Sequence, residues 1–156
     1  MKTKIITYSE IQCDVIKRFG ITIVENSTCR GRMHAHVKER KVCKWKPSES
    51  YANTFSLFHE IGHIETHTQK MRRAESEYYA TVWAIDRLKE YGLPIKLQQI
   101  FRYQRYILLE IRRGERRGGT NYGDLNLYKY IGKDVTLDDV YNTCDRKWQR
   151  FIDGTY

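Results

Sequence analysis

Apolar positions along the chain recur first with helical spacing and then with strand spacing. In residues 9–19 they fall every three to four positions, which predicts a helix capped by Ser9. Residues 21–24 are all β-branched and predict a strand. From 30 to 37 polar and apolar residues alternate, and a second short strand follows a charged turn. We therefore expect a basic β-hairpin over residues 29–46.

The central third of the chain carries the strongest helical pattern. Residues 50–67 are apolar on two sides, which predicts a buried central helix, and Ser48-Glu49-Ser50 before it supply a cap and an acidic first turn. Further helices are predicted at about 74–91, 95–113 and 136–152, the last capped by Thr136. Residues 124–132 give no clear pattern.

These elements predict an α+β fold, with a small N-terminal sheet or hairpin packed on a mainly helical core that includes 95–156. At 156 residues the chain is expected to form a single domain, 1–156, around the helix at 50–67. No run reaches the ~18 apolar residues of a membrane span, and the N-terminus lacks the apolar stretch of a signal peptide. We expect a soluble, cytoplasmic protein that does not bind membranes.

Candidate chemistry lies on the central helix. His59 and His63 are four residues apart, so a helix brings both imidazoles to one face, within reach of a single zinc ion. Glu60 follows the first histidine and completes the H-E-x-x-H pattern, in which the glutamate acts as a general base of zinc peptidases. The pattern therefore predicts one Zn²⁺ as cofactor.

A third protein ligand has three candidates. His67 is a further helical turn along, and its imidazole would lie about 12 Å along the axis from that of the first histidine, which favours a supporting role. Glu75 and Glu77 begin the next helix. We favour Glu77, because Ala80 and Ala84 on its face allow that helix to pack closely against the metal helix. Glu75 remains the alternative.

Two segments carry a resemblance to a known family. The stretches His59-Glu60-Ile61-Gly62-His63 and Glu77-Tyr78-Tyr79-Ala80-Thr81-Val82-Trp83-Ala84 resemble the ImmA/IrrE family of metallopeptidase-like proteins. That family shows H-E-[LI]-G-H and then E-x-x-A-N-x-F-A. Here Thr81 stands in place of the usual Asn and Trp83 in place of the usual Phe. The resemblance covers roughly residues 20–95.

The resemblance implies a zincin-like fold, an intracellular setting and an origin in phages or other mobile elements. Relatives in the family act as site-specific proteases on helix-turn-helix repressors. Carried over to this sequence, His59, His63 and Glu77 are the metal ligands and Glu60 is the catalytic base. The implied substrate is a protein, such as a DNA-binding repressor.

Substrate contacts are less narrowly defined. The hairpin can align a peptide by strand addition, or its charges can simply protect an edge strand from aggregation. Its outward residues would favour an acidic peptide: Arg30, Arg32, His34 and His36. An oxyanion donor is also needed, and the candidates are His67, Tyr78, Tyr79 and His36.

The charge distribution suggests other functions. The net charge is +9, and its excess lies on both flanks of the motif segment. A glycine-rich loop predicted from 112 to 123 carries four arginines that can track phosphates: Arg112, Arg113, Arg116 and Arg117. The alternatives are thus a zinc-containing nucleic-acid-binding protein, with stacking tyrosines, or an inhibitor that binds a host factor through an aromatic surface.

Overall fold

The computed structural model of the chain describes residues 6–25 and 32–142, and it confirms the predicted α+β class. A small N-terminal sheet precedes a mainly helical core. The strands are β1 (Thr22–Val24), β2 (His34–His36) and β3 (Lys41–Cys43). The helices are α1 (Tyr8–Arg18), α2 (Tyr51–Thr66), α3 (Arg73–Glu90), α4 (Leu97–Arg116), α5 (Leu127–Tyr130) and α6 (Leu137–Asn142). Among the described helices, none is long and apolar enough to cross a membrane.

The sheet has the order β1-β3-β2, so β2 lies at an edge. β1 pairs with β3 in parallel, and β2 pairs with β3 in antiparallel register, which confirms the predicted hairpin. Ala35 of β2 lies opposite Val42 of β3. Val42 is fully buried, so its side of the sheet is the one that packs against the helices. Residues 29–31 of the predicted hairpin lie outside the described residues.

The start of α1 differs from the prediction. Thr7, not Ser9, is the N-cap, and its Oγ1 accepts the backbone N–H of Glu10 at 3.2 Å. Glu49 does not lie in the first turn of α2. Its carboxylate instead accepts the backbone N–H groups of Tyr8 and Ser9, at 3.0 and 3.1 Å. A negative charge at a helix N-terminus is favourable, so Glu49 joins the entry of α2 to the start of α1.

Helix α2 is the centre of the core, as its two apolar sides predict. Ser50 caps it by accepting the backbone N–H of Asn53 at 3.2 Å. Several of its large apolar side chains are completely buried, each worth about 1.5–3 kcal/mol relative to exposure: Phe55, Leu57, Phe58 and Ile61. The helix packs against α1, the sheet and, most extensively, α3.

Gly62 sets the distance between α2 and α3. A Cβ atom at this position would lie 2.4 Å from the carbonyl oxygen of Ala80, which is backbone and cannot move aside alone. The absence of a side chain therefore lets the two helix backbones approach closely. This contact lies one helical turn beyond the predicted ligand Glu77.

The end of α4 corrects a prediction. Residues 112–116 are helical rather than part of a glycine-rich loop, and Gly114 lies within the helix. A Cβ atom on Gly114 would lie 1.7 Å from the hydroxyl oxygen of Tyr122, which crosses the helix there. The glycine thus marks a close contact inside a helix, not its end.

Beyond α4, two short helices close the described part of the chain. Buried Gln104 donates to the carbonyl of Leu125 at 3.0 Å and accepts the N–H of Leu127 at 2.6 Å, which anchors α5 on α4. Thr136 caps α6, as predicted, by accepting the backbone N–H of Asp139 at 3.1 Å, and the Asp139 carboxylate accepts the backbone N–H of Thr136 at 2.9 Å. The rest of the helix predicted to residue 152 lies outside the described residues.

Candidate metal centre

Three donor atoms from two helices converge in the core. His59 Nε2 lies 3.1 Å from His63 Nε2 and 3.1 Å from Glu77 Oε2, and the third side of the triangle is 3.5 Å. All three residues are at most 8% exposed. Ligand atoms held tetrahedrally at zinc bonding distance are about 3.3–3.5 Å apart. The set therefore has the spacing of ligands around one ion.

The hydrogen atoms around His59 also fit a metal site. Thr81 Oγ1 donates to the backbone carbonyl of Glu77 at 2.7 Å, so it is free to accept the Nδ1 proton of His59 at 3.1 Å. In the neutral ring, His59 Nε2 then keeps a lone pair and faces a carboxylate oxygen, which is also an acceptor. In this tautomer a cation between the two atoms would satisfy both of them. Similarly, His63 Nδ1 lies 3.0 Å from the hydroxyl of Ser76.

Protonation of the triad follows from burial and neighbouring charge. Burial lowers the pKa of His59 and outweighs the opposing effect of the Glu77 carboxylate. Burial alone would raise the pKa of Glu77, but the adjacent imidazoles of His59 and His63 outweigh it and hold that pKa well below its usual range. A neutral imidazole and an ionised carboxylate are the forms that bind metals. Arg73 Nη2 lies 2.7 Å from Glu77 Oε1, an ion-pair distance without hydrogen-bond geometry.

Glu60 lies beside the triad without belonging to it. Burial raises its pKa to about 7, against the opposing effects of His63 and of a backbone hydrogen bond from Ala35 in β2. A carboxyl group with this pKa can both accept and release a proton near neutral pH.

An open cleft of about 760 Å³ leads to the triad. Its walls come from the hairpin and from α2, α3 and α4: Arg32, Met33, His34, Ala35, Val37, Ser56, Glu60, His67, Met71, Arg73, Ser76, Arg102, Tyr103 and Tyr106. Of the predicted contact residues, Arg32, His34 and His67 line this cleft. Arg30 lies outside the described residues.

Other predicted residues lie away from the cleft. Tyr78 and Tyr79 are not in its lining, because successive residues on α3 turn by about 100° and Glu77 occupies the inward direction. Tyr78 packs against the hydrophobic core, and Tyr79 is 46% exposed. His36 is also absent from the lining.

Two tyrosines of α4 line the cleft although nothing in the sequence predicted them there. The ring of Tyr103 lies 4.6 Å from that of His59, and burial raises the pKa of its phenol to about 12, so the phenol is neutral. Tyr106 lines the cleft one turn further on. Their i, i+3 spacing was visible in the sequence, but nothing local indicated that α4 lies over the metal helix.

The four arginines predicted to contact phosphates lie at the C-terminal end of α4 and just beyond it, and none of them lines this cleft. Arg112 pairs with Glu115 at 3.0 Å, and Arg113 pairs with Glu110 at 2.7 Å. A second, smaller cleft of about 280 Å³ is lined by several arginines around Tyr122: Arg72, Arg73, Arg113 and Arg117.

Comparisons with known protein families, curated proteins and solved structures find no match. The fold and the geometry therefore define the class of site by themselves: an α+β protein with a buried His, His, Glu group able to hold a metal ion.

Proposed function

We propose that the chain is a zinc-dependent metallopeptidase of the zincin type, related to the ImmA/IrrE family. The observation that carries the proposal is the convergence of His59, His63 and Glu77 at 3.1–3.5 Å, at the base of an open cleft. A single cation would satisfy these three donor atoms together. The H-E-x-x-H spacing supports the same assignment.

A zinc ion held by these three side chains would supply a Lewis acid that polarises the scissile carbonyl and brings the pKa of water to about 7. Glu60, next to the triad, takes the proton of the attacking water on a carboxylate oxygen and passes it to the leaving amine. Tyr103, a neutral phenol beside His59, donates to the developing oxyanion.

Substrate binding is proposed at the edge strand β2. Its middle residue, Ala35, lies by Glu60, so a peptide added to this edge would run past the catalytic base. Arg32, Arg73 and Arg102 line the same cleft and favour an acidic peptide. We infer a cytoplasmic regulatory protein as substrate, such as a helix-turn-helix repressor, with the protease encoded by a phage or mobile element, since the family resemblance implies this.

The proposal is tested by incubating a peptide library, made by digesting a bacterial proteome, with zinc-loaded wild type and with Glu60→Gln. Wild type is expected to generate new termini that share a sequence preference. Glu60→Gln should keep its zinc and lose about 10²–10⁴ in rate. Glu65→Gln is the matched control, because Glu65 is on the same helix but pairs with Arg40 outside the cleft. Zinc without new termini in wild type would contradict the proposal.

The basic cleft around Tyr122 favours nucleic-acid binding as a second candidate. The test is fluorescence anisotropy of a labelled DNA duplex at several salt concentrations. If this role holds, binding persists in Glu60→Gln and weakens steeply with salt. Arg117→Ala should then reduce the slope of log K against log salt by about one. An affinity that is independent of salt would exclude this role.

A further inference from the structure

A second group of metal-binding side chains lies on the hairpin. His34 of β2 is directly opposite Cys43 of β3, and His36 is two residues further along β2. Opposed residues of an antiparallel pair, and residues two apart on a strand, project from the same face. The register therefore gathers one thiol and two imidazoles. One ligand atom from each lies within 4.8 Å of the others.

The contacts of His34 leave one of its nitrogens available. Its Nδ1 lies 2.9 Å from the backbone carbonyl oxygen of Arg32, which can only accept a hydrogen bond, so Nδ1 carries the proton. In the neutral ring Nε2 then keeps its lone pair. Metal-binding histidines commonly use their other nitrogen in this way, because the hydrogen bond fixes the orientation of the ring.

The three donors differ in exposure. Cys43 is 2% exposed, His34 is half-buried and His36 is exposed. A metal bound here would have protein ligands on its inner side and room for water on its outer side. Two imidazole nitrogens and a thiolate are a set that suits zinc, because soft sulfur and imidazole ligands both favour it. Lys41 projects from the same face, but it pairs with Glu39 at 2.7 Å.

We propose that His34, His36 and Cys43 form a second zinc site, distinct from the triad between α2 and α3. Zinc binding displaces the thiol proton of Cys43 and links β2 to β3 through their side chains. Since Ala35 lies between the two histidines and beside Glu60, the ion holds the edge strand that borders the cleft. This proposal does not depend on peptidase activity.

Titration of the full chain with cobalt(II) tests the site, because a thiolate ligand adds a near-ultraviolet charge-transfer band to the cobalt spectrum. Wild type is expected to bind two cobalt ions and to show the band. His63→Ala should keep one ion and the band. Cys43→Ser should keep one ion and lose the band, while Cys13→Ser, which changes an exposed cysteine, should match wild type.

His36→Ala keeps the test valid if a change at buried Cys43 disturbs folding, because His36 is exposed. The substitution should lower the affinity for the cobalt ion that gives the band by more than about tenfold. Losing a mere hydrogen-bond partner of a metal ligand already lowers metal affinity by that factor. A wild type without the band, a band that persists in Cys43→Ser, or unchanged affinity in His36→Ala would each overturn the proposal. If the triad binds no metal, the thiolate band of the hairpin site should still appear, so failure of the proposed function does not decide this test.

Discussion

The two groups of donors show two ways of building a metal site. The triad joins side chains 18 residues apart in sequence, His59 and Glu77, and is buried between α2 and α3 at the base of the cleft. The hairpin group is local and half-exposed, and the register of two short strands aligns it. Water can satisfy the exposed imidazole of His36, whereas the triad residues are at most 8% exposed and meet solvent only through the cleft.

This difference concerns how firmly the donors are held before an ion arrives. Thr81 and Ser76 contact the outer nitrogens of the two buried histidines, and Arg73 is paired with the carboxylate. Buried polar groups are costly unless they are satisfied, so the triad is destabilising without an ion and should bind one tightly. The hairpin group is partly exposed, so its side chains cost less free energy when no metal is bound. We therefore expect it to bind metal more weakly than the triad.

The largest effect should follow from removing the carboxylate ligand. Glu77→Gln is expected to weaken metal binding at the triad by more than about a hundredfold, beyond the cost of losing a hydrogen-bond partner of a ligand. Competition with a chromophoric chelator measures it. Glu75→Gln is the control, because Glu75 lies on the same helix but pairs with Arg72 at 2.7 Å. An equal loss of affinity in Glu75→Gln would indicate Glu75 as the third ligand. Loss of the thiolate band in Glu77→Gln would mean that the two metal sites are not independent.

The triad could be predicted because its signals are local or nearly so. Histidines four apart on a strongly patterned helix define a shared face without tertiary information. The choice of Glu77 over Glu75 needed only the small residues that permit close helix packing, and the contact of Gly62 with Ala80 is that packing. The fold class followed from the same periodicities.

The hairpin group and Tyr103 depend on relations that periodicity does not contain. Alternation placed His34 and His36 on one face, but only the length of the turn sets Cys43 opposite His34. Similarly, the position of α4 over α2 brings Tyr103 to His59 and results from packing across the whole core. The loop predicted from residue 112 was wrong at its start for the same reason, because Gly114 packs inside the helix against Tyr122, eight residues further along the chain.

A substitution between α2 and α3 should disturb the triad without disturbing the hairpin site. Gly62→Ala places a Cβ atom 2.4 Å from the backbone of Ala80, so α3 must move away from α2. Overpacking of this kind costs about 1–3 kcal/mol, and the upper end is expected because backbone is the obstacle. Chemical denaturation measures it. Gly123→Ala, with no heavy atom within 4 Å of its Cβ, should change stability by less than about 0.5 kcal/mol.

The same variant compares the sites directly. Movement of α3 carries Glu77 away from the two histidines, so cobalt binding at the triad should weaken while the thiolate band of the hairpin site stays unchanged. Normal triad affinity in a destabilised Gly62→Ala protein would show that the spacing of the helices does not set the ligand geometry.

The smallest effect should come from a group that touches a ligand but not the ion. Thr81→Val keeps the shape of the side chain and removes the hydroxyl that accepts the Nδ1 proton of His59. Affinity at the triad should fall about ten- to hundredfold, because the imidazole loses its orientation and some basicity. Thr66→Val is the control, since the Thr66 hydroxyl donates to the carbonyl of Gly62 on α2, outside the site. Equal affinities in the two variants would mean that burial alone orients His59 and that the Thr81 hydroxyl does not support the metal site.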